Sequence, residues 1–134
     1  MDNVDPLLGA WSGDASGLYH TAFEDESFVI HADGSGWHMY SRPYYDKITD
    51  FTWRAVEPQR VELTWAATTR ELEDGVVTES PSDNLVNSFV WQVNEEDTRL
   101  AGRHEVLRID PPVVYAREFG RWHRGAATPA PDRL

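Results

Sequence analysis

The chain has 134 residues, of which 40% are hydrophobic and 12% aromatic, and its formal net charge is −11 at pH 7. This length and composition fit one globular domain with a real core rather than a disordered chain. The acidic charge disfavours nucleic acid and anionic membrane surfaces as partners, and no apolar run predicts a membrane span or an export signal.

Apolar and polar residues alternate with a period of two along most of the chain, and no stretch shows the helical period of 3.6. In chain order the pattern predicts eight strands, at 8–13, 27–32, 37–41, 51–56, 61–70, 87–93, 98–109 and 114–121. We therefore expect one domain over 7–124, between a flexible N-terminus at 1–6 and a disordered, Pro-containing tail at 125–134.

The connections between these strands alternate in length. Tight turns are predicted at 33–36, 57–60 and 94–97, and long loops at 14–26, 42–50 and 72–86. Alternate connections of an antiparallel meander lie at the same end, so the tight turns share one end and the long loops the other. The pattern predicts an all-β, eight-stranded antiparallel up-and-down barrel, closed at one end, with long loops at the other. A sandwich of hairpins is the alternative.

The first predicted strand carries Gly9-Ala10-Trp11, and Arg121 stands on the last one. In these features the chain resembles the calycin group: lipocalins, intracellular fatty-acid-binding proteins and avidin-like barrels. The stretch LLGAWSGDASGLYHTAF, residues 7–23, is also similar to the start of nitrobindin-like haem barrels. The resemblance implies a small-molecule-binding barrel in which Arg121 packs across Trp11 at the closed end. The disulfides of secreted lipocalins and the helical lid of fatty-acid-binding proteins have no counterpart in this sequence.

Pairing the predicted strands across their turns assigns a buried inner face. A turn at 33–36 places Ile30 opposite Met39, a turn at 57–60 places Trp53 opposite Leu63, and a turn at 94–97 places Trp91 opposite Leu100. The predicted inner residues are Phe28, Ile30, Trp37, Met39, Phe51, Trp53, Leu63, Trp65, Phe89, Trp91 and Leu100. Two interpretations stay open, because an eight-stranded barrel is just wide enough for its own side chains: a solid core, or a cavity in the upper half.

Polar residues are predicted to converge near the long-loop end. The same registers bring Asn87, His104, Tyr115 and Arg117 together there as candidate catalytic groups that would polarise a carbonyl or move a proton. If the last strand slips by one residue, Glu118 points inward instead of Arg117. His31 and His38 are predicted to pair on the outer surface, and no set of metal ligands is recognised.

The long-loop end is also rich in tyrosine and acidic residues. Tyrosine suits a wet-edged binding mouth, and a negative rim favours neutral or cationic ligands over fatty acids. The predicted ligand-binding residues are Tyr19, Phe28, Met39, Tyr40, Tyr44, Tyr45, Phe51, Trp65, Phe89, Trp91, His104, Tyr115 and Arg117. The alternative is that the tyrosines and acids only solvate the loops.

The leading functional hypothesis is a barrel that binds a small, largely apolar molecule in its lumen. The alternatives are a cofactor-independent cyclase or isomerase of bacterial natural-product biosynthesis and a haem-binding barrel. No cofactor is expected under the first two. The absence of cysteine fits a reducing compartment, and arginine supplies all but one of the 12 Lys and Arg residues, a bias of GC-rich bacterial genomes. We therefore expect a cytoplasmic monomer or homodimer with a small-molecule ligand or substrate.

Overall fold

The computed structural model describes residues 5–12, 25–82, 86–98, 102–113 and 117–124, and these are almost all strand. A 3-10 helix, Asp5–Leu7, precedes ten strands: β1 Gly9–Ser12, β2 Asp25–Ile30, β3 Ser35–Arg42, β4 Tyr45–Glu57, β5 Arg60–Trp65, β6 Thr68–Glu73, β7 Val76–Pro81, β8 Val86–Thr98, β9 Gly102–Asp110 and β10 Glu118–Arg124. Within the described ranges, no helix is long and apolar enough to cross a membrane.

Eight of these strands close into a barrel. The sheet order is β3-β2-β1-β10-β9-β8-β5-β4, and β3 also pairs with β4, which joins the two ends of the row. All the pairings are antiparallel. Closure leaves no free edge along the ring, so the predicted eight-stranded antiparallel barrel is confirmed.

The remaining two strands, β6 and β7, form a hairpin that is paired to β4. The first part of β4 pairs with β6, and β6 pairs with β7, so β3, β4, β6 and β7 make a ribbon at the predicted long-loop end. We call this end the mouth. The loops predicted at 42–50 and 72–86 are therefore wrong, because both regions are mostly strand. Asp74 and Gly75 form the turn of the β6–β7 hairpin, with φ of 51° and 81°. An Asp-Gly pair is typical of tight hairpin turns, but this turn was not among those predicted from the sequence.

The predicted registers are right for one hairpin and wrong for two. Trp53 lies opposite Leu63 across β4 and β5, as predicted. Ile30, however, lies opposite Gly36 rather than Met39, because β3 begins at Ser35 and Gly36 belongs to the strand. Trp91 lies opposite Ile109 rather than Leu100, because β8 continues through the polar residues 94–97, where the sequence predicts a turn.

The main core fills the inner face of the barrel. It contains Leu7, Trp11, Phe28, Ile30, Phe51, Val61, Leu63, Phe89, Trp91, Leu107, Ile109 and Phe119, with Trp53 and Trp65 packed against it. The predicted inner positions of Trp37 and Met39 are wrong. The three-residue register difference puts both on the opposite face, in a second buried cluster with Ala10, Val29 and Ile48. Leu100 lies outside the described residues.

The closed end carries the β2–β3 and β4–β5 turns and the 3-10 helix. Leu7 of that helix is fully buried, and the Arg121 guanidinium donates to the carbonyls of Pro6 and Leu8. The ordered domain therefore includes Asp5 and Pro6, which were predicted to belong to a flexible N-terminus. The predicted tail at 125–134 lies outside the described residues.

Candidate functional site

Four polar residues and one tryptophan meet on the inner face towards the mouth. They are Glu26 on β2, His38 on β3, Thr49 on β4, Thr69 on β6 and Trp65 on β5, and we call them the mouth cluster. His38 lies opposite Phe28 on one side and Thr49 on the other, and Glu26 precedes Phe28 by two residues. Since strand side chains alternate, all these positions share the inner face with the core residue Phe28.

Glu26 and His38 form a buried acid–base pair. The Nε2 atom of His38 lies 2.9 Å from Oε2 of Glu26, and their side chains are 7% and 0% exposed. Removing a carboxylate from water costs several kcal/mol, and only a well-placed partner offsets this cost. A pair of apolar residues would fill this part of a barrel without that cost, so the pair is a candidate functional element.

The two threonines extend this polar patch. The Thr49 and Thr69 hydroxyl oxygens are 2.5 Å apart, and the Thr69 hydroxyl donates to the carbonyl oxygen of Ile48 at 2.9 Å. Both side chains are buried. Their hydrogen bonds bridge the part of β4 between its pairings with β5 and β6, where the ladder is interrupted.

Trp65 forms the aromatic wall between this patch and solvent. Its ring meets His38 edge-on at 5.9 Å between ring centroids and Phe51 at 5.4 Å. Its Nε1 donates to Oδ1 of the exposed Asn87 at 2.7 Å, which fixes the indole at the rim. Trp65 itself is only partly buried, so one side of the mouth cluster borders water.

The inner face of the ribbon continues above the cluster. The Arg42 guanidinium lies 4.5 Å from the centroid of the Tyr45 ring. Desolvation, followed by the nearby Glu71 carboxylate, raises the pKa of Tyr45, so its phenol stays protonated and hydrogen-bonds Glu71. Glu71 also accepts a hydrogen bond from Ser80 at 2.9 Å. These contacts tie β3, β4, β6 and β7 together.

Most predicted ligand-binding residues of the described chain lie on the inner face. Phe28, Phe51, Phe89 and Trp91 are buried there, with Trp65 at the rim. Tyr40 and Tyr45 lie on the inner face of the ribbon, partly buried. Met39 is on the opposite face, and Tyr44 is 84% exposed at the β3–β4 turn with φ of 65°. Tyr19 and Tyr115 lie outside the described residues.

The predicted catalytic grouping does not form. His104 pairs with Glu96 in the β8–β9 ladder, far from Asn87, and its Nε2 bonds the backbone oxygen of Arg121 at 2.8 Å. The nine-residue difference in the β8–β9 register carries it towards the closed end.

Arg117 is also misplaced by the prediction. It is exposed in the β9–β10 connection, and its Nη1 lies 3.0 Å from Oδ1 of Asp110. The alternative with Glu118 inward is wrong too, because Glu118 pairs with Arg108 while the next residue, Phe119, belongs to the inner core.

Sequence reasoning missed Glu26 and His38. His38 was assigned to the outer surface because the β2–β3 turn was predicted to include Gly36. His31 does not face His38 across the strands, since His31 lies in the turn and bonds Ser35. Of the three histidines whose side chains the structure describes, His31, His38 and His104, only His38 lies on the inner face, so a proximal haem ligand among these three would be His38, whose Nε2 is bonded to Glu26.

A depression of about 450 Å³ lies over β3, β4 and β5. Its lining includes Trp37, Asp50 and Thr64, together with Phe51 and Trp65, which also lie beside the mouth cluster. Asp50 is exposed and lies 3.6 Å from Arg70. This depression lacks a buried ionisable pair, which distinguishes it from the mouth cluster.

Comparisons with family models, with curated proteins and with solved structures gave no match. The calycin resemblance therefore stays an expectation from the sequence, and function has to be argued from the mouth cluster itself.

Proposed function

We propose that this protein binds a small, largely apolar molecule at the mouth of its barrel, with the mouth cluster as the polar anchor. The observation that carries the proposal is the fully buried Glu26 carboxylate, which is bonded to His38, whose ring in turn meets that of Trp65 edge-on. Binding sites are mostly apolar with a few placed polar groups, and this arrangement has that composition.

The lower part of the lumen limits the size of such a ligand. The Phe28 ring lies 4.8 Å from Phe119 and 6.3 Å from Phe89, centroid to centroid, and all three are essentially unexposed. Their contacts fill the barrel below the mouth cluster. The ligand is therefore small, and it gains affinity from contact with Phe51 and Trp65, at about 25 cal/mol for each Å² of apolar surface buried.

The charges of the site and of the whole chain determine which chemical type of ligand fits. A buried carboxylate in a chain of net charge −11 repels anions, so a fatty acid is a poor ligand. A neutral or cationic molecule with an apolar body fits both the aromatic wall and the acidic environment.

Titration with Nile red, a neutral dye whose emission rises in apolar surroundings, tests the proposal. We expect saturable binding of one dye per chain, and Trp65→Ala should weaken it about tenfold, because the loss of one aromatic contact costs roughly 1–2 kcal/mol. Val77→Ser is the matched control, since Val77 is 55% exposed on the ribbon and would adsorb dye non-specifically. Binding that is not saturable, or that responds to Val77→Ser and not to Trp65→Ala, would overturn the proposal.

Catalysis of proton transfer is a second candidate, favoured by the same pair. A carboxylate that holds one ring nitrogen of an imidazole orients the other as a general base. The probe is 5-nitrobenzisoxazole, from which a base removes the ring C–H proton while the N–O bond breaks to give a cyanophenolate. We expect His38→Gln to abolish any rate above buffer and His31→Gln to keep it. A rate that His38→Gln leaves intact, or no rate above buffer, would reject this candidate.

A further inference from the structure

The direction of each hydrogen bond in the mouth cluster can be assigned from the donors available. The single hydroxyl proton of Thr69 goes to the Ile48 carbonyl. The proton between the two threonine oxygens, 2.5 Å apart, therefore belongs to Thr49. Thr49 has then used its one donor, and its oxygen keeps lone pairs that accept.

The direction of the hydrogen bond between Glu26 and His38 follows from the same reasoning about donors and acceptors. Where Glu26 is ionised it accepts from the His38 Nε2, because a carboxylate accepts hydrogen bonds and donates none. The Glu26 carboxylate and the Thr49 hydroxyl oxygen thus both act as acceptors in the mouth cluster.

We propose that the mouth cluster recognises a protonated amine, so that the ligand is an aliphatic or aromatic ammonium ion. The inference rests on the proposed function, because it names the group that docks on that site. An ammonium group brings three donors to this set of acceptors and a positive charge to the Glu26 carboxylate. The partly exposed Trp65 ring adds an aromatic face, which attracts cations.

The charged residues near the mouth cluster do not remove its preference for an ammonium ion. Lys47 is the nearest cation along β4 on the same face, two residues from Thr49, and it is exposed. It lies opposite Glu71 in the β4–β6 ladder, so a carboxylate stands beside it. Arg42, further along the ribbon, stacks on Tyr45.

Competition against bound Nile red at pH 7 tests the inference with three matched molecules: octylamine, octanol and octanoate. They share one chain and differ in the head group. We expect octylamine to displace the dye at about tenfold lower concentration than octanol, with octanoate the weakest. Equal displacement by all three, or a preference for octanoate, would overturn the amine inference while dye binding would still support the proposed function. No dye binding by the wild-type protein would instead reject the proposed function.

Two variants test whether the amine preference arises at the mouth cluster. Glu26→Gln should keep dye binding but reduce the amine preference over octanol to about onefold, and Thr49→Val should reduce it in part. Glu71→Gln is the control, because it removes one negative charge from the same sheet face outside the mouth cluster. If Glu71→Gln lowers the preference as much as Glu26→Gln, the preference is a property of net charge and the assigned site is wrong. If Glu26→Gln does not fold, Thr49→Val decides: an unchanged preference there rejects the site.

Discussion

The guanidinium carbon of Arg121 lies 4.1 Å from the centroid of the Trp11 ring, at the closed end of the barrel. The side chain of Arg121 is 7% exposed, and burial lowers the pKa of its guanidinium from the ordinary value. It is held by the carbonyls of Pro6 and Leu8 and by Glu105, whose carboxylate oxygen lies 3.3 Å from Nε. Arg121 thus joins the 3-10 helix to β1, β9 and β10, and the contact predicted from the sequence is confirmed.

A double-mutant cycle should show this coupling. Trp11→Ala should lower the free energy of unfolding by about 3–5 kcal/mol, as for other buried aromatic residues. Arg121→Ala should cost about 2–4 kcal/mol, because it leaves Glu105 and two carbonyls without their donor. The two losses of unfolding free energy should not add, because the Arg121 guanidinium and the Trp11 ring are in contact. Strict additivity in urea unfolding would contradict an energetic contact between them.

Gly36 should tolerate no larger residue. A Cβ atom there would fall well inside contact distance of the Val29 carbonyl oxygen and of the Phe51 ring. Gly36→Ala should therefore cost about 1–3 kcal/mol by overpacking. The comparison is Gly102→Ala, where φ is +67° but nothing lies within 4 Å, so only the backbone strain of about 1 kcal/mol is expected. Equal costs at the two sites would show that Phe51 does not pack on Gly36.

The fold could be predicted from the sequence because alternation and turn residues are local. The β4–β5 register was also predictable, since the pairing that aligns Trp53 with Leu63 aligns Arg54 with Glu62, whose atoms are 3.0 Å apart. The β8–β9 register was not. The polar residues at the end of β8 resemble a turn, and they stay in the strand because β9 supplies cations, such as Arg108 for Glu96.

The candidate site could not be predicted from the sequence because one glycine, Gly36, lies in a strand and not in the predicted turn. Gly34 has φ of +91° and makes the β2–β3 turn, whereas Gly36 sits in β3 to admit the Phe51 ring. A contact between residues that far apart in sequence leaves no local signal. The three-residue error that follows moves His38 from the inner face to the outer one, and with it the partner of Glu26.

Arg117 should be dispensable. Its ion pair with Asp110 joins side chains that are 61% and 79% exposed, and such pairs contribute about 0–1 kcal/mol. Arg117→Leu should change the free energy of unfolding by less than about 0.5 kcal/mol and leave Nile red affinity unchanged. Urea unfolding and dye titration beside Trp65→Ala measure both. A tenfold loss of dye affinity in a folded Arg117→Leu protein would place Arg117 in the binding site.

Stability should fall in acid partly through Glu96. Its two carboxylate oxygens accept from Arg108 at 3.0 and 2.7 Å, and this hydrogen bonding lowers the pKa of Glu96 in the folded state. A lowered pKa means that the contribution is present above the unfolded value of about 4.3 and disappears as pH falls through the folded value. For a partly exposed pair this is about 0.5–1 kcal/mol. Urea midpoints from pH 7 to pH 3 should therefore fall less steeply in Glu96→Gln than in the wild type, with the two curves converging at low pH. A wild-type slope retained in Glu96→Gln would assign the acid sensitivity to other carboxylates.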